Sequence, residues 1–222
     1  MIVAHQRERP TLLVFSPRVP EELTVVVAEG FHGELRSIAV TDATVTLPPA
    51  DLLVEGARIT RSNLGESRTV RPSLGDVVFS DCNLANSRWS EARLSRVRFR
   101  QCQMTGFDAN ASTLLDVEFR SCKLSLSSFR FLAKAKILFA HCEMDGTDFQ
   151  GCDLRHCRFD HCVLTGSLFD QAQTAGVDLR GSTIAAVQGV SGLRGAVIDQ
   201  LQLLDLTTAL ASHVGLVVRD EV

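Results

Sequence analysis

The sequence predicts an all-β fold: a four-sided β-helix, with an irregular β segment at its N-terminal end and an α-helix at its C-terminal end. Three observations predict it. Every fifth residue from Val54 to Ile184 gives 27 positions, and 23 of them are large and apolar; the exceptions are Thr69, Ala109, Lys134 and Thr174. Two residues before each lies a second series, Ala57 to Ser182. It is Ala, Ser, Thr, Cys, Val or Pro at 23 of 26 places, with Phe107, Leu132 and Ile137 as exceptions. Like residues also recur every 20: Phe79, Phe99, Phe119, Phe139 and Phe159, and in the same way Cys82, Cys102, Cys122, Cys142 and Cys162.

A period of five fits neither the 3.6-residue turn of an α-helix nor the two-residue alternation of a strand. A chain that buries one large and one small residue per five can turn a corner after each unit, and four units close a coil of 20. Like residues then stack coil on coil, about 4.8 Å apart. All seven cysteines (82, 102, 122, 142, 152, 157 and 162) belong to the small series. Their spacing therefore reads as packing inside a repeat rather than as a metal or redox site, and free thiols are expected.

The units Cys82-Asn83-Leu84-Ala85-Asn86, Cys152-Asp153-Leu154-Arg155-His156 and Val177-Asp178-Leu179-Arg180-Gly181 lie close to A(D/N)LXX. By these units, residues 54–184 resemble the pentapeptide-repeat family. The resemblance implies a right-handed quadrilateral pentapeptide-repeat β-helix with Phe and Leu rings stacked inside.

Residues 1–53 lie outside the repeat, with prolines 10, 17, 20, 48 and 49 punctuating β-like runs such as Thr24–Val27 and Ile38–Leu47. They read as an irregular N-terminal cap. After Ile184 the five-residue phase fails, and residues 185–222 form a C-terminal cap. Within it a helix is expected over about 199–214, with Asp199 as N-cap, Gln202 three residues on and Gly215 as the stop. Leu203, Leu206, Leu210 and Val214 share one face, and a short strand, Leu216–Val218, follows. This tail resembles that of the gyrase-protecting, quinolone-resistance members of the family. The resemblance implies a two-fold homodimer through those four residues; a monomeric cap is the alternative.

Composition narrows the function. Net charge is −3, no apolar run approaches the roughly 20 residues that span a bilayer, and the first ten residues lack a secretory pattern. A cytoplasmic protein with no membrane segment is expected. His-Cys occurs at 141–142, 156–157 and 161–162, but the cysteines take inward and the histidines outward positions, so no metal site or other cofactor is expected. Asp76, Arg96, Asp116 and Lys136 share one column and alternate in sign, as ordinary cross-strand pairs do. No phosphate loop or catalytic triad stands out, so no enzyme is expected.

Charge is segregated along the repeat. Residues 74–136 hold 10 Lys/Arg against 6 Asp/Glu, and residues 137–184 hold 3 against 7. The basic half, around Arg88–Arg100, lacks exposed aromatic residues for stacking, which argues against direct nucleic-acid binding. The acidic half, through Glu143, Asp145, Asp148, Asp153, Asp160 and Asp170, is a candidate partner-binding surface. The resemblance implies DNA gyrase or topoisomerase IV as the partner, engaged by partial mimicry of DNA; a scaffold with an unrelated partner is the alternative. Lys134 falls at an inward place, where a lone ammonium is costly to bury. Either the coil bulges, leaving Leu126 and Phe131 as an apolar contact patch, or the register slips and tucks Phe131 inside.

Overall fold

The computed structural model describes residues 14–25, 33–217 and 219. Val26 and Val27 of the expected early run, and Val218 of the expected last strand, lie outside them. The elements are β1 (Thr24–Val25), β2 (Glu34–Arg36), β3 (Ile38–Thr41), β4 (Leu53–Thr60), β5 (Arg68–Val70), β6 (Ser73–Ser80), β7 (Arg88–Ser90), β8 (Arg93–Arg100), β9 (Thr113–Arg120), β10 (Lys134–Ala140), β11 (Arg158–Asp160) and α1 (Gln200–His213).

Every strand pairing is parallel, and from β4 onward neighbours sit one 20-residue coil apart except at a one-residue slip between β9 and β10: Val54 opposite Leu74, Leu74 opposite Leu94, Phe79 opposite Phe99. The earlier strands pair at shorter spacing, Leu35 opposite Val54 and Thr24 opposite Ile38. This is a quadrilateral β-helix. Its four walls carry the large inward residues of the repeat. Val54, Leu74, Leu94 and Leu114 lie on wall one, and Ile59 with the Phe79–Phe159 column on wall two. Leu64, Leu84 and Met104 lie on wall three, with Trp89, Phe129, Phe149 and Phe169 on wall four. The parallel ladder starts before residue 54, because β2 pairs with β4 and β3 continues along β4.

The corners explain the period of five. From Arg61 to Ala186 each fifth residue has a positive φ, a left-handed turn after every unit, except at Lys136 and His156. The small positions have their own chemistry. Ser87, Ser127 and Ser167 each donate a hydroxyl to the backbone carbonyl 23 residues earlier at 2.9 Å, and Thr147 does so at 3.0 Å. Cys82, Cys122 and Cys142 make the same contact with a thiol at 3.4–3.5 Å. A side chain there must be small enough for the interior and able to satisfy a buried acceptor.

The core is a stack of rings. Phe79, Phe99, Phe119, Phe139 and Phe159 lie nearly face to face, with centroids 4.8–5.2 Å apart. The wall-four phenylalanines meet them edge-on, at 72–88°. Phe107 and Ala109 are both fully buried; the phenylalanine in a small place fills what the alanine leaves.

At the C-terminal end α1 closes the stack. Asp199 and Gln202 form a reciprocal capping box, and Gln202 also donates to the carbonyls of Leu179 and Ser182 at 2.6 and 2.5 Å. Gly215, at φ 80°, ends the helix in the left-handed conformation that glycine adopts freely. Leu216 and Val217 follow without strand pairing and are exposed.

Residues 14–20 do not cap the end. They run along the corner between walls one and two. Arg18 N–H donates to Asp76 at 2.8 Å, Phe15 N–H to Asp116 at 3.5 Å, and Arg98 reaches Ser16 Oγ at 3.0 Å.

Candidate interaction surfaces

The charged column under this strap is paired as its alternating signs require. Arg96 grips Asp76 with two bonds of 2.7 and 2.6 Å, and Lys136 lies 2.6 Å from Asp116. Hydrogen bonding to Arg96 holds the Asp76 carboxyl below the usual carboxylate range. Next to the column, nearly buried Glu118 bridges Arg98 and Arg120 at 2.5 and 2.7 Å.

The acidic residues do not converge. Glu143 and Asp145 lie on wall three, Asp148 and Asp170 on wall four, Asp153 on wall one and Asp160 on wall two. Three of the six have local cations. Asp153 is 2.7 Å from Arg155, which holds its carboxyl below the usual range, and Asp178 is 2.8 Å from Arg180. Asp148 is 3.6 Å from Arg130, and Asp160 lies 3.8 Å from Arg158 and 3.1 Å from the His161 ring. Among the described residues, Glu143, Asp145 and Asp170 have no ion-pair partner.

Leu126 and Phe131, at the end of the basic half, are both exposed, at corners where φ is positive: 59° at Leu126 and 54° at Phe131. Bulky side chains rarely adopt this conformation. Phe131 lies against Gly151, one coil on, where a Cβ would strike its ring, and Arg130 lies over it with its guanidinium carbon 5.3 Å from the ring centroid.

At Lys134 the register slips, yet Phe131 stays outside. Ala135 takes the inward place opposite Leu114, Lys134 points to solvent, and Ile137 is back in step opposite Val117. Leu132, buried in a small place, compensates for the small Ala135. The reason is charge: one residue of slip trades a buried ammonium for a buried methyl.

The tail helix has two sides. Leu206, only 4% exposed, packs into the chain's own core with Gln202. Of the four residues assigned to a dimer seam, Leu206 therefore serves the cap, while Leu203, Leu210 and Val214 remain exposed beside Leu201 and Leu204. A cleft of about 200 Å³ between helix and last coil is lined by Val190, Leu193, Ile198, Leu206 and Leu210.

His141 and His161 stack outside the rod, centroids 5.4 Å apart, whereas the cysteines face inward. Burial pushes the Cys152 thiol up to about 11 and raises Cys157 further. Among the described residues no three His, Cys, Asp or Glu are placed to share an ion, and no helix is long and apolar enough to cross a membrane.

Two features had no sequence signal of the kind used to find the others. The strap lacks periodicity, and Leu115, exposed on wall one, stands in an ordinary outward place. The family described as "Pentapeptide repeat region" matches residues 72–142 and 112–188. No curated protein matches. Among solved structures, a trypsin-treated variant of QnrB1, described as a plasmid-mediated fluoroquinolone resistance protein, is 16% identical with a TM-score of 0.51. The match covers 90% of this chain and 99% of that one. HetL, a pentapeptide repeat protein involved in heterocyst differentiation regulation in the cyanobacterium Nostoc, is also 16% identical. It covers 76% and 87% with a TM-score of 0.34. At this identity the QnrB1 likeness speaks to the fold alone.

Proposed function

Because the chain belongs to the pentapeptide-repeat family, we propose that it acts as a non-enzymatic rod that binds a protein partner, with DNA gyrase or topoisomerase IV as the candidate. The observation that carries the protein-binding reading is the apolar outer side of α1. Leu201, Leu203, Leu204, Leu210 and Val214, followed by Leu216 and Val217, are all exposed. A clustered apolar surface of this kind is the usual mark of a protein contact. A second copy is its simplest occupant, joined by a two-fold seam with Leu203, Leu210 and Val214 at its centre.

Such a seam brings the two acidic halves next to each other at the middle of a longer rod. The tail's resemblance to the quinolone-resistance members supports a topoisomerase as the partner. The local pairing of Asp148, Asp153 and Asp160 with cations weakens a mechanism based on DNA mimicry alone. It favours contact through Leu126, Phe131 and the unpaired Glu143, Asp145 and Asp170, and it keeps a scaffold with an unrelated partner as the second reading.

The test is a gyrase supercoiling assay with the purified protein, run with and without a fluoroquinolone. Inhibition of supercoiling, or relief of the drug's effect, is expected at micromolar protein. Neither effect would remove the topoisomerase and leave the scaffold reading in place.

A further inference from the structure

One junction between coils is not closed. On wall one, a backbone N–H reaches back to the previous coil at each turn: Ser73 to Leu52, Arg93 to Pro72, Thr113 to Ala92, Ala133 to Ser112 and Gln173 to Cys152, all at 2.7–2.8 Å. The N–H of Asp153, which belongs to the same series, has no acceptor among the described residues. Lys134 and Asp153 share no backbone hydrogen bond either, although the corresponding Leu154 and Gln173 do at 2.9 Å. The same corner loses its left-handed residue in two successive coils, at Lys136 and His156. The slip at Lys134 has opened the wall, leaving a cleft of about 280 Å³ lined by Leu115, Lys134, Ala135, Lys136, Asp153 and His156.

What surrounds the slot is uneven in a telling way. Lys136 is engaged by Asp116, and Asp153 by Arg155. Lys134 has no ion-pair partner among the described residues, so an ammonium and the Asp153 N–H stand together unused. The apolar surface beside it comes from Leu115, 38% exposed, and from Phe15, 60% exposed, whose ring lies 4.8 Å from the Lys136 ammonium. Convergent polar groups in a concave apolar surround are the general form of a binding site. Free backbone donors at an interrupted ladder are what extended peptides use when they dock.

We propose that this slot docks a peptide segment of a partner protein that presents a carboxylate beside a bulky apolar side chain. The carboxylate accepts hydrogen bonds from the Asp153 N–H and the Lys134 ammonium, a charge-assisted pair of donors. The apolar side chain packs on Leu115. This deepens the protein-binding reading above and rests on it for the ligand being a peptide, but it does not depend on gyrase.

The test is an NMR titration of the full chain, following backbone amides, with three probes. They are N-acetyl-phenylalanine (carboxylate and ring), N-acetyl-phenylalaninamide (ring alone) and inorganic phosphate (charge alone). N-acetyl-phenylalanine is expected to shift the amides of Lys134, Lys136 and Asp153 saturably, with a dissociation constant on the order of 1 mM. The other two should bind roughly tenfold more weakly or not at all. Lys134→Gln, which keeps a polar side chain in solvent, and Leu115→Ser, which removes the apolar wall, should each weaken the first probe about fivefold. Equal shifts with phosphate would make the slot a plain anion site and overturn the proposal. So would absence of saturation, or no change in either variant. A negative supercoiling assay would not affect this result.

Discussion

Ala135 stands opposite Leu114 in the ladder between β9 and β10, one residue later than the repeat dictates, and the ladder regains its step at Ile137 and Val117. A lysine in an inward place leaves the chain two options: to bury an ammonium, or to spend one residue of register. The second option costs ladder hydrogen bonds on one wall, each about 1 kcal/mol net. The first costs far more in an interior of stacked rings.

The tail seam has a direct mass test. Leu203→Asp combined with Val214→Asp leaves Leu206 and Gln202 in place, so the cap should stay folded. By light scattering the wild-type chain is expected to run as a dimer and the double variant as a monomer. Equal masses for the two would mean that the outer side of α1 does not self-associate.

Phe107 and Ala109 should behave as one unit. Phe107→Ala alone is expected to cost about 3–5 kcal/mol through the cavity it leaves. Ala109→Leu alone overpacks the same layer by about 1–3 kcal/mol. The double variant should lose less than the sum of the two, and urea denaturation of all four proteins gives the coupling. Strict additivity would show that the two side chains do not share space.

The sequence shows these volumes because the repeat tells which residues face in. Phe107 and Leu132 stand out in the small series, and Ala109 in the large one. The direction of the slip is less legible: Lys134 marks a fault, but whether Phe131 follows it inward depends on Gly151, one coil away, offering a bare backbone for the ring. The acidic residues show a different limit. Their clustering in sequence reflects position along the rod, whereas a partner meets one wall at a time, and 20 residues visit all four walls. The strap over Asp76 and Asp116 is governed by backbone N–H groups, which no residue pattern encodes.

The strap depends on Asp76, whose carboxylate takes both the Arg18 N–H at 2.8 Å and the Arg96 guanidinium. Asp76→Ala should release it and expose the bond after Arg18 to trypsin. Losing one hydrogen bond to a charged group, about 1.5–3 kcal/mol, corresponds to a rise in cleavage rate of roughly tenfold or more. An unchanged rate, with the product mapped by mass spectrometry, would show that the strap is held elsewhere.

Burial of the Cys152 thiol makes stability fall in alkali. Desolvation raises Cys152 from the ordinary 9.0 to about 11 in the folded chain, so between those values the unfolded chain has lost a proton that the folded chain keeps. Stability is therefore full below about pH 9 and declines as pH rises towards about 11, by about 1.4 kcal/mol per pH unit for each such thiol. Urea midpoints measured under reducing conditions at pH 8 and pH 10 should show the decline, and Cys152→Ala should lessen it. A slope identical in the variant would assign the decline to other groups.

That a single lysine opens the wall is tested most directly by amide hydrogen exchange at Asp153 in Lys134→Leu. A leucine at this position restores the inward series, so Leu132 should again accept the Asp153 N–H, and protection of that amide should rise by roughly tenfold or more. A folded Lys134→Leu chain in which the Asp153 amide exchanges as fast as in the wild type would contradict the claim.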